Sequence, residues 1–411
     1  MTACKRLPPV WLMGLTNSLF GLMGGFSVVT VPEMLAAQGV PGGHIAVIVA
    51  AILSPAFWAF VLAPMLDVRF SRRTYALVFG SLSAAASGFT VFDHNRPGLV
   101  EIVMMAGMVA ATFYQGAVGG WMGSLIRKEQ DSHLGMWFAI ANTGASGLMI
   151  LLAGGAVLRF PPLMAACTVA GGMMLPMLLF LVVPAPGPDR QLASESFGRF
   201  WTEVTSLLRQ REVLIALVLF LLPCASFSLT NVLGGVGKDF SASEHLVSTF
   251  AGAGTVAAGL AGSFLLKPLA RRFALRPLYL GVGVTGGLFT LSLLALPRAP
   301  WCFGLAITGE NMFQALSFAT GNAITFEVIG PGNPLAATLF TLLMAAANFP
   351  IFYMGIIDGH GYDWSGVTGS FLADAVISIA VCLCLGWILP RWRRVGLPHD
   401  AATTPIGETA D

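Results

Sequence analysis

Pro64-Met-Leu-Asp67-Val-Arg69-Phe70-Ser-Arg72-Arg73-Thr-Tyr75 is answered about 204 residues later by Pro268-Leu-Ala-Arg271-Arg272-Phe273-Ala-Leu-Arg276-Pro-Leu-Tyr279. Pro, Phe, Arg and Tyr recur in the same order with a slip of one residue. Each stretch is a short basic link between the second and third long apolar run of its half of the chain. A repeat of this period, each copy holding six apolar runs, implies a duplicated six-helix unit.

The runs themselves fix the setting. A helix needs about 20 apolar residues to cross a hydrocarbon core of about 30 Å. Twelve runs qualify, over 10–32, 44–65, 74–92, 99–124, 134–157, 162–183, 213–236, 246–266, 277–296, 301–328, 335–357 and 368–389. They are continuous rather than alternating, which excludes a membrane β-barrel. Of the 411 residues 56% are hydrophobic and 10% charged, and mean hydropathy is +0.78; a soluble domain carries about 25% charged residues. The net charge of +2 gives no basic surface for nucleic acid. The expected fold is therefore all-α: twelve transmembrane helices in two six-helix bundles.

Eighteen of the 22 Lys and Arg residues fall on the side that holds both termini if the N-terminus is cytoplasmic. Arg96, Arg159, Lys238 and Arg298 fall on the other. By the positive-inside rule both termini are expected in the cytoplasm, in an inner-membrane, multi-pass topology. The first run lacks a cleavage motif and is taken as retained. The expected divisions are an N-terminal bundle 1–184, a cytoplasmic linker 185–212, a C-terminal bundle 213–390 and a cytoplasmic tail 391–411. Pro184, Pro186 and Pro188 open the linker, and Phe197, Phe200, Trp201, Leu207 and Leu208 suggest a surface-lying helix within it. The six cysteines, Cys4, Cys167, Cys224, Cys302, Cys382 and Cys384, have no zinc spacing and read as reduced core residues.

This layout resembles the major facilitator superfamily. The family's 2–3 link carries an Asp followed by clustered basic residues, matched here by Asp67, Arg69, Arg72 and Arg73; the usual leading Gly is absent. Three shorter segments resemble the muropeptide permease (AmpG-type) and acetyl-coenzyme A transporter branch. They are Gly24-Gly-Phe26 with Pro32, Ala141-Asn142-Thr-Gly144, and Asn348-Phe-Pro350-Ile-Phe-Tyr353-Met-Gly-Ile-Ile-Asp358-Gly. The resemblance implies a secondary active transporter, not an enzyme, that works by alternating access. It also implies a cytoplasmic gate at Asp67, Arg69, Arg72 and Arg73, and a cavity lined by helices 1, 4, 7 and 10. The expected cargo is a polar solute of muropeptide or siderophore kind, taken up as a symporting permease. Efflux of an amphipathic compound is the alternative, and a ligand sensor a more remote one. No second chain is needed to form the pathway.

Polar groups inside apolar runs are the candidates for the site, because a charge at bilayer depth costs at least about 2.5–3.5 kcal/mol. Glu310 lies near the middle of helix 10, with Asn311 beside it and Gln314 one turn on along the same face. It is the first candidate for carrying a coupling proton. Asp374 in helix 12 is the second, with packing or an outer-mouth role as its other reading. Asn17, Tyr114, Gln115 and Asn231 complete the expected substrate and proton-binding set; each could instead bond a neighbouring helix. Asp358-Gly-His360-Gly-Tyr-Asp363-Trp364 reads as a Gly-rich outer turn, since one His and two Asp are not a metal signature. No Walker or dinucleotide fingerprint occurs, so no cofactor is expected.

Overall fold

The computed structural model describes residues 7–185, 205–206, 209–233 and 235–395. The expected surface helix of the linker and most of the C-terminal tail lie outside the described residues. No strand occurs among those described.

Six helices form the N-terminal half: α1 (Val10–Ala37), α2 (Gly42–Asp67), α3 (Arg72–Phe92), α4 (Pro97–Leu125), α5 (Asp131–Arg159) and α6 (Pro162–Leu181). In the C-terminal half, α7 is broken into Arg211–Leu221 and Leu229–Leu233. It is followed by α8 (His245–Ala270), α9 (Leu275–Leu293) and α10 (Pro300–Ile329). A last run, Ala336–Val395, is kinked at Ser365 and Gly366 into α11 (336–364) and α12 (367–395). Among the described residues eight runs, counting this last one once, are long and apolar enough to cross a membrane by length and composition alone. The large apolar side chains left outside, such as Leu151, Leu181 and Leu383, form the surface that lipid would solvate.

Three sequence expectations need correction. The 213–236 run is not one helix. Pro223 lacks an N–H and crowds the preceding turn, so Leu222 is driven to an extended conformation (φ −93°, ψ 150°) and α7 stops at Leu221. Second, 358–364 is not an outer turn. Those residues continue α11, and the reversal waits for Gly366, whose φ of +60° favours glycine. Gly361 and Gly369 instead let the backbones of α11 and α12 touch, each lying where a Cβ on the other would fall. Third, Cys167 and Cys384 are exposed; Cys224, Cys302 and Cys382 are buried and free.

The halves meet along α5 against α8 and α10, and along α2 and α4 against α11. Gly120 is required there, because a Cβ on it would overlap the backbone of Ala337. The hydrogen bonds described between the halves lie at one end of the bundle, the end carrying the arginine-rich 2–3 link.

Candidate functional site

At that arginine-rich end, Asp67 is the last residue of α2 and is buried. Its Oδ1 accepts from Arg72 Nε at 2.9 Å and from the Ala337 N–H at 3.2 Å. Its Oδ2 accepts from the N–H and the hydroxyl of Thr338, both at 2.7 Å. Asp67 thus serves as a cap for the first turn of α11 in the other half, where free N–H groups and the helix dipole favour an anion. Arg72 completes the crossing. Its Nη2 donates to the carbonyls of Asn333 (3.0 Å) and Pro334 (2.8 Å). The Gly332 N–H donates to the Ser124 carbonyl at 3.2 Å. Of the four residues expected at the gate, the structure brings together Asp67 and Arg72. Arg69 is exposed over the Phe70 ring and Arg73 is half-buried; neither forms a described cross-half bond.

The middle of the molecule holds two small voids that both touch Met344, the first between the halves and the second inside the C-terminal half. One, of about 10 Å³, is lined by Phe20, Thr112, Gln115 and Asn348. The other, of about 20 Å³, is lined by Ser226, Ser317, Asn322 and Gly321. Each has room for about one water, so side chains pack closely around Met344. Gln115 is the one member of the expected substrate set that lines this region. Asn348 and Asn322 join it, and a search for lone amides in apolar runs points to both.

Several expected ligands are engaged elsewhere. Tyr114 donates to the Thr16 carbonyl (2.6 Å) and Asn17 to the Phe138 carbonyl (3.2 Å), both inside the N-terminal half. Asn311 donates to the Ile307 carbonyl of its own helix. Asn231 is exposed. Gln314 donates to the Phe227 carbonyl (3.3 Å) and to Thr230 Oγ1 (2.8 Å), which serves the broken α7. The break sets several backbone carbonyls free, and side chains from three helices satisfy them. Tyr353 donates to Leu221, Cys382 to Cys224 and Ser317 to Ala225. Non-helical backbone at membrane depth is tolerated where protein buries it in this way.

Beside the break lies an acidic cluster. Glu310 (0% exposed), Asp358 (0%) and Asp374 (3%) come from α10, α11 and α12. Glu310 Oε1 lies 2.5 Å from Thr290 Oγ1 of α9, while its Oε2 has no hydrogen-bond partner. Asp358 Oδ2 and Asp374 Oδ1 both contact Ser228 Oγ, the latter at 3.1 Å. No described ion pair reaches any of the three. Among the described residues, no group of three or more His, Cys, Asp and Glu could hold a metal ion. The structure thus brings the two carboxylates singled out from sequence, Glu310 and Asp374, into one bundle. It adds Asp358, Ser228 and Thr290, which sequence reasoning had not placed with them.

Two helical halves locked at one end, small polar voids at the centre and carboxylates buried among apolar helices are the features of a secondary transporter. The sequence profile of the Major Facilitator Superfamily matches residues 13–334, and the chain belongs to that family. The Escherichia coli fucose:proton symporter superposes with a TM-score of 0.70 at 13% identity, covering 94% of this chain and 98% of that one. A proton:xylose symporter gives 0.68 at 14% identity, over 93% and 96%. A nucleoside transporter gives 0.60 at 15%, over 92% and 98%. At these identities the likeness establishes the fold. No curated protein matches the chain.

Proposed function

We propose that this protein is a proton-coupled importer of a small polar solute, of muropeptide or siderophore kind, embedded in the inner membrane with both termini cytoplasmic. The halves rock about the centre near Met344. Gln115, Asn322 and Asn348 are the solute ligands in this reading. Asp67 and Arg72 hold the cytoplasmic side closed while the opposite side is free to open.

The observation that carries proton coupling is the pairing of Glu310 with Thr290. The Thr290 hydroxyl has one hydrogen and two oxygens within reach, the Gly286 carbonyl at 3.1 Å and Glu310 Oε1 at 2.5 Å. A hydroxyl donates once. Both contacts are satisfied when Glu310 carries a proton and donates it to Thr290, which then donates to Gly286. A carboxylate without that proton would be an unpaired charge at bilayer depth, which is costly. Glu310 is therefore a place where a proton is held in one state of the cycle and released in another. The likeness to two proton symporters is in keeping with this.

The test is proton exchange on adding solute. Purified wild type and Glu310→Gln are mixed in weak buffer with panels of muropeptides, siderophores and amphipathic drugs. The expected result is a pH change with one polar class, smaller in Glu310→Gln. Binding with an equal pH change in both proteins would remove Glu310 from the coupling role. A response confined to amphipathic drugs would favour export.

A further inference from the structure

We propose that Asp358, Ser228 and Asp374 form a second proton-binding site, separate from Glu310, so that the C-terminal half loads two protons in each cycle. This rests on the proton-coupled reading above.

The argument begins with hydrogen counting. Ser228 Oγ touches one carboxyl oxygen of Asp358 and one of Asp374. Its single hydrogen can be donated to one of them. The other contact is a hydrogen bond when that second carboxyl is itself protonated and donates to Ser228. With both carboxyls ionised, two negative charges would converge on one hydroxyl with no cation between them. One proton shared by the pair removes the conflict.

Among the described residues no ion pair substitutes for that proton. The second oxygen of Asp358, Oδ1, is buried without a partner, as is Oε2 of Glu310. From α9 and α10 the facing polar groups are Thr290 and Glu310, already paired with each other. From α12, Ser370 donates to the backbone carbonyl of Asp358 and leaves its carboxyl alone. Arg298 of the loop between α9 and α10 forms no described ion pair with either carboxylate. It donates to Thr368 and lies over the rings of Phe240 (5.1 Å) and Phe371 (5.9 Å). Asp239, which accepts from Tyr362, and His360 and Asp363 are exposed.

The placement of Ser228 gives the site a mechanical connection. It follows Phe227, whose φ of +49° is unusual for a residue with a bulky side chain. Both lie in the interruption of α7. The hydroxyl that joins α11 to α12 is thus presented by the broken segment. A change in how α7 is bent would move this hydroxyl toward or away from the pair: its approach, donating to a carboxylate, favours release of the shared proton, and its withdrawal favours retention. Loading adds one H⁺ from the outer solution to the carboxylate pair, forming an O–H bond on one of them; release returns that H⁺ on the other side.

Infrared difference spectroscopy of the full-length protein in lipid nanodiscs tests this without knowledge of the solute. The probe is pH alone, read in the carbonyl-stretch region of protonated carboxylic acids and repeated in heavy water. The wild type is expected to show two such bands. Glu310→Gln should lose one, and Asp358→Asn and Asp374→Asn should each lose the other. Ser228→Ala, which keeps both carboxyls, should shift that second band and leave the Glu310 band in place. A spectrum unchanged in both Asp358→Asn and Asp374→Asn would overturn the second site while leaving Glu310 untouched. Loss of the second band on adding sodium at constant pH would also overturn it, making the occupant a metal ion. A spectrum unchanged in Glu310→Gln would instead count against the coupling role proposed above.

Discussion

Arg72 and Arg276 stand about 204 residues apart, at the same place in the two halves, and they do different work. Each begins a third helix and each is buried. Arg72 pairs with Asp67 in its own half and reaches carbonyls of the other. Arg276 pairs with Glu212 at the start of α7 and, at 3.6 Å, with Glu327 at the end of α10. All three belong to one half. The cause is one position in the repeat: where the first copy has Asp67, the second has Arg271, which is exposed. An acid at the end of α2 can cap α11 across the interface. An arginine at the end of α8 has nothing to offer a helix N-terminus. The helix it would have capped, α5, begins with its own Asp131, so the electrostatic demand there is met locally. Duplication supplied two copies of the link, and the lock between halves needs only one of them.

The sharpest way to break this contrast is Asp67→Ala. It removes the anion that a buried guanidinium and the first N–H groups of α11 share. Removing one partner of a buried pair costs about 3–5 kcal/mol, on the order of 10²–10³ in an equilibrium constant. Because the bonds cross the halves, that loss falls on the closed state of the arginine-rich end. Met344, which lines both central voids, reports it. With Met344→Cys in place, a membrane-impermeant thiol reagent added from that side should label slowly in the parent and rapidly after Asp67→Ala. Equal labelling in both would mean that Asp67 does not hold the end shut.

Arg276→Ala should separate the two arginines by kind of effect. Its partner Glu212 has a 56% exposed side chain, so water takes over much of what the pair provided. Glu327 and Glu212 lose a shared cation within one half. The expected outcome is a drop in thermal stability of about 1–2 kcal/mol, with Met344→Cys labelling unchanged. Faster labelling would show that the second arginine also bears on the interface.

This asymmetry was half legible in the sequence. The missing Asp beside Arg271 is plain in the sequence. What the sequence hides is which of three arginines crosses, because Arg69, Arg72 and Arg73 differ only in where α3 begins. The twelve runs were legible because lipid requires long apolar helices. The break in α7 was signalled only by Pro223, whose effect depends on side chains such as Gln314 and Tyr353 being near enough to satisfy the freed carbonyls. Asp358 was obscured by its glycines. Gly359 and Gly361 suggest a turn by composition, yet Gly361 serves close packing of α11 on α12, and that contact is visible only in three dimensions. The same holds for Gln314: an amide in an apolar run must find a partner, but its sequence does not say whether that partner is a solute or a backbone.

The mildest test concerns the arginine that takes no part. Arg69 has a φ of +71°, a left-handed conformation that a side chain with a Cβ adopts at a cost. It sits in the turn between Asp67 and Arg72, and its guanidinium is exposed beside Phe70, 5.8 Å from the ring centroid. Glycine adopts this conformation freely, so Arg69→Gly should raise thermal stability by about 0.5–1 kcal/mol. The turn geometry that brings Asp67 back to Arg72 is preserved, so Met344→Cys labelling should stay slow. Removing one of eighteen basic charges from that side leaves the bias that orients the chain. A loss of stability together with rapid labelling would contradict this. It would show that Arg69 reinforces the lock through its charge, and that the contrast between the two links extends beyond Asp67.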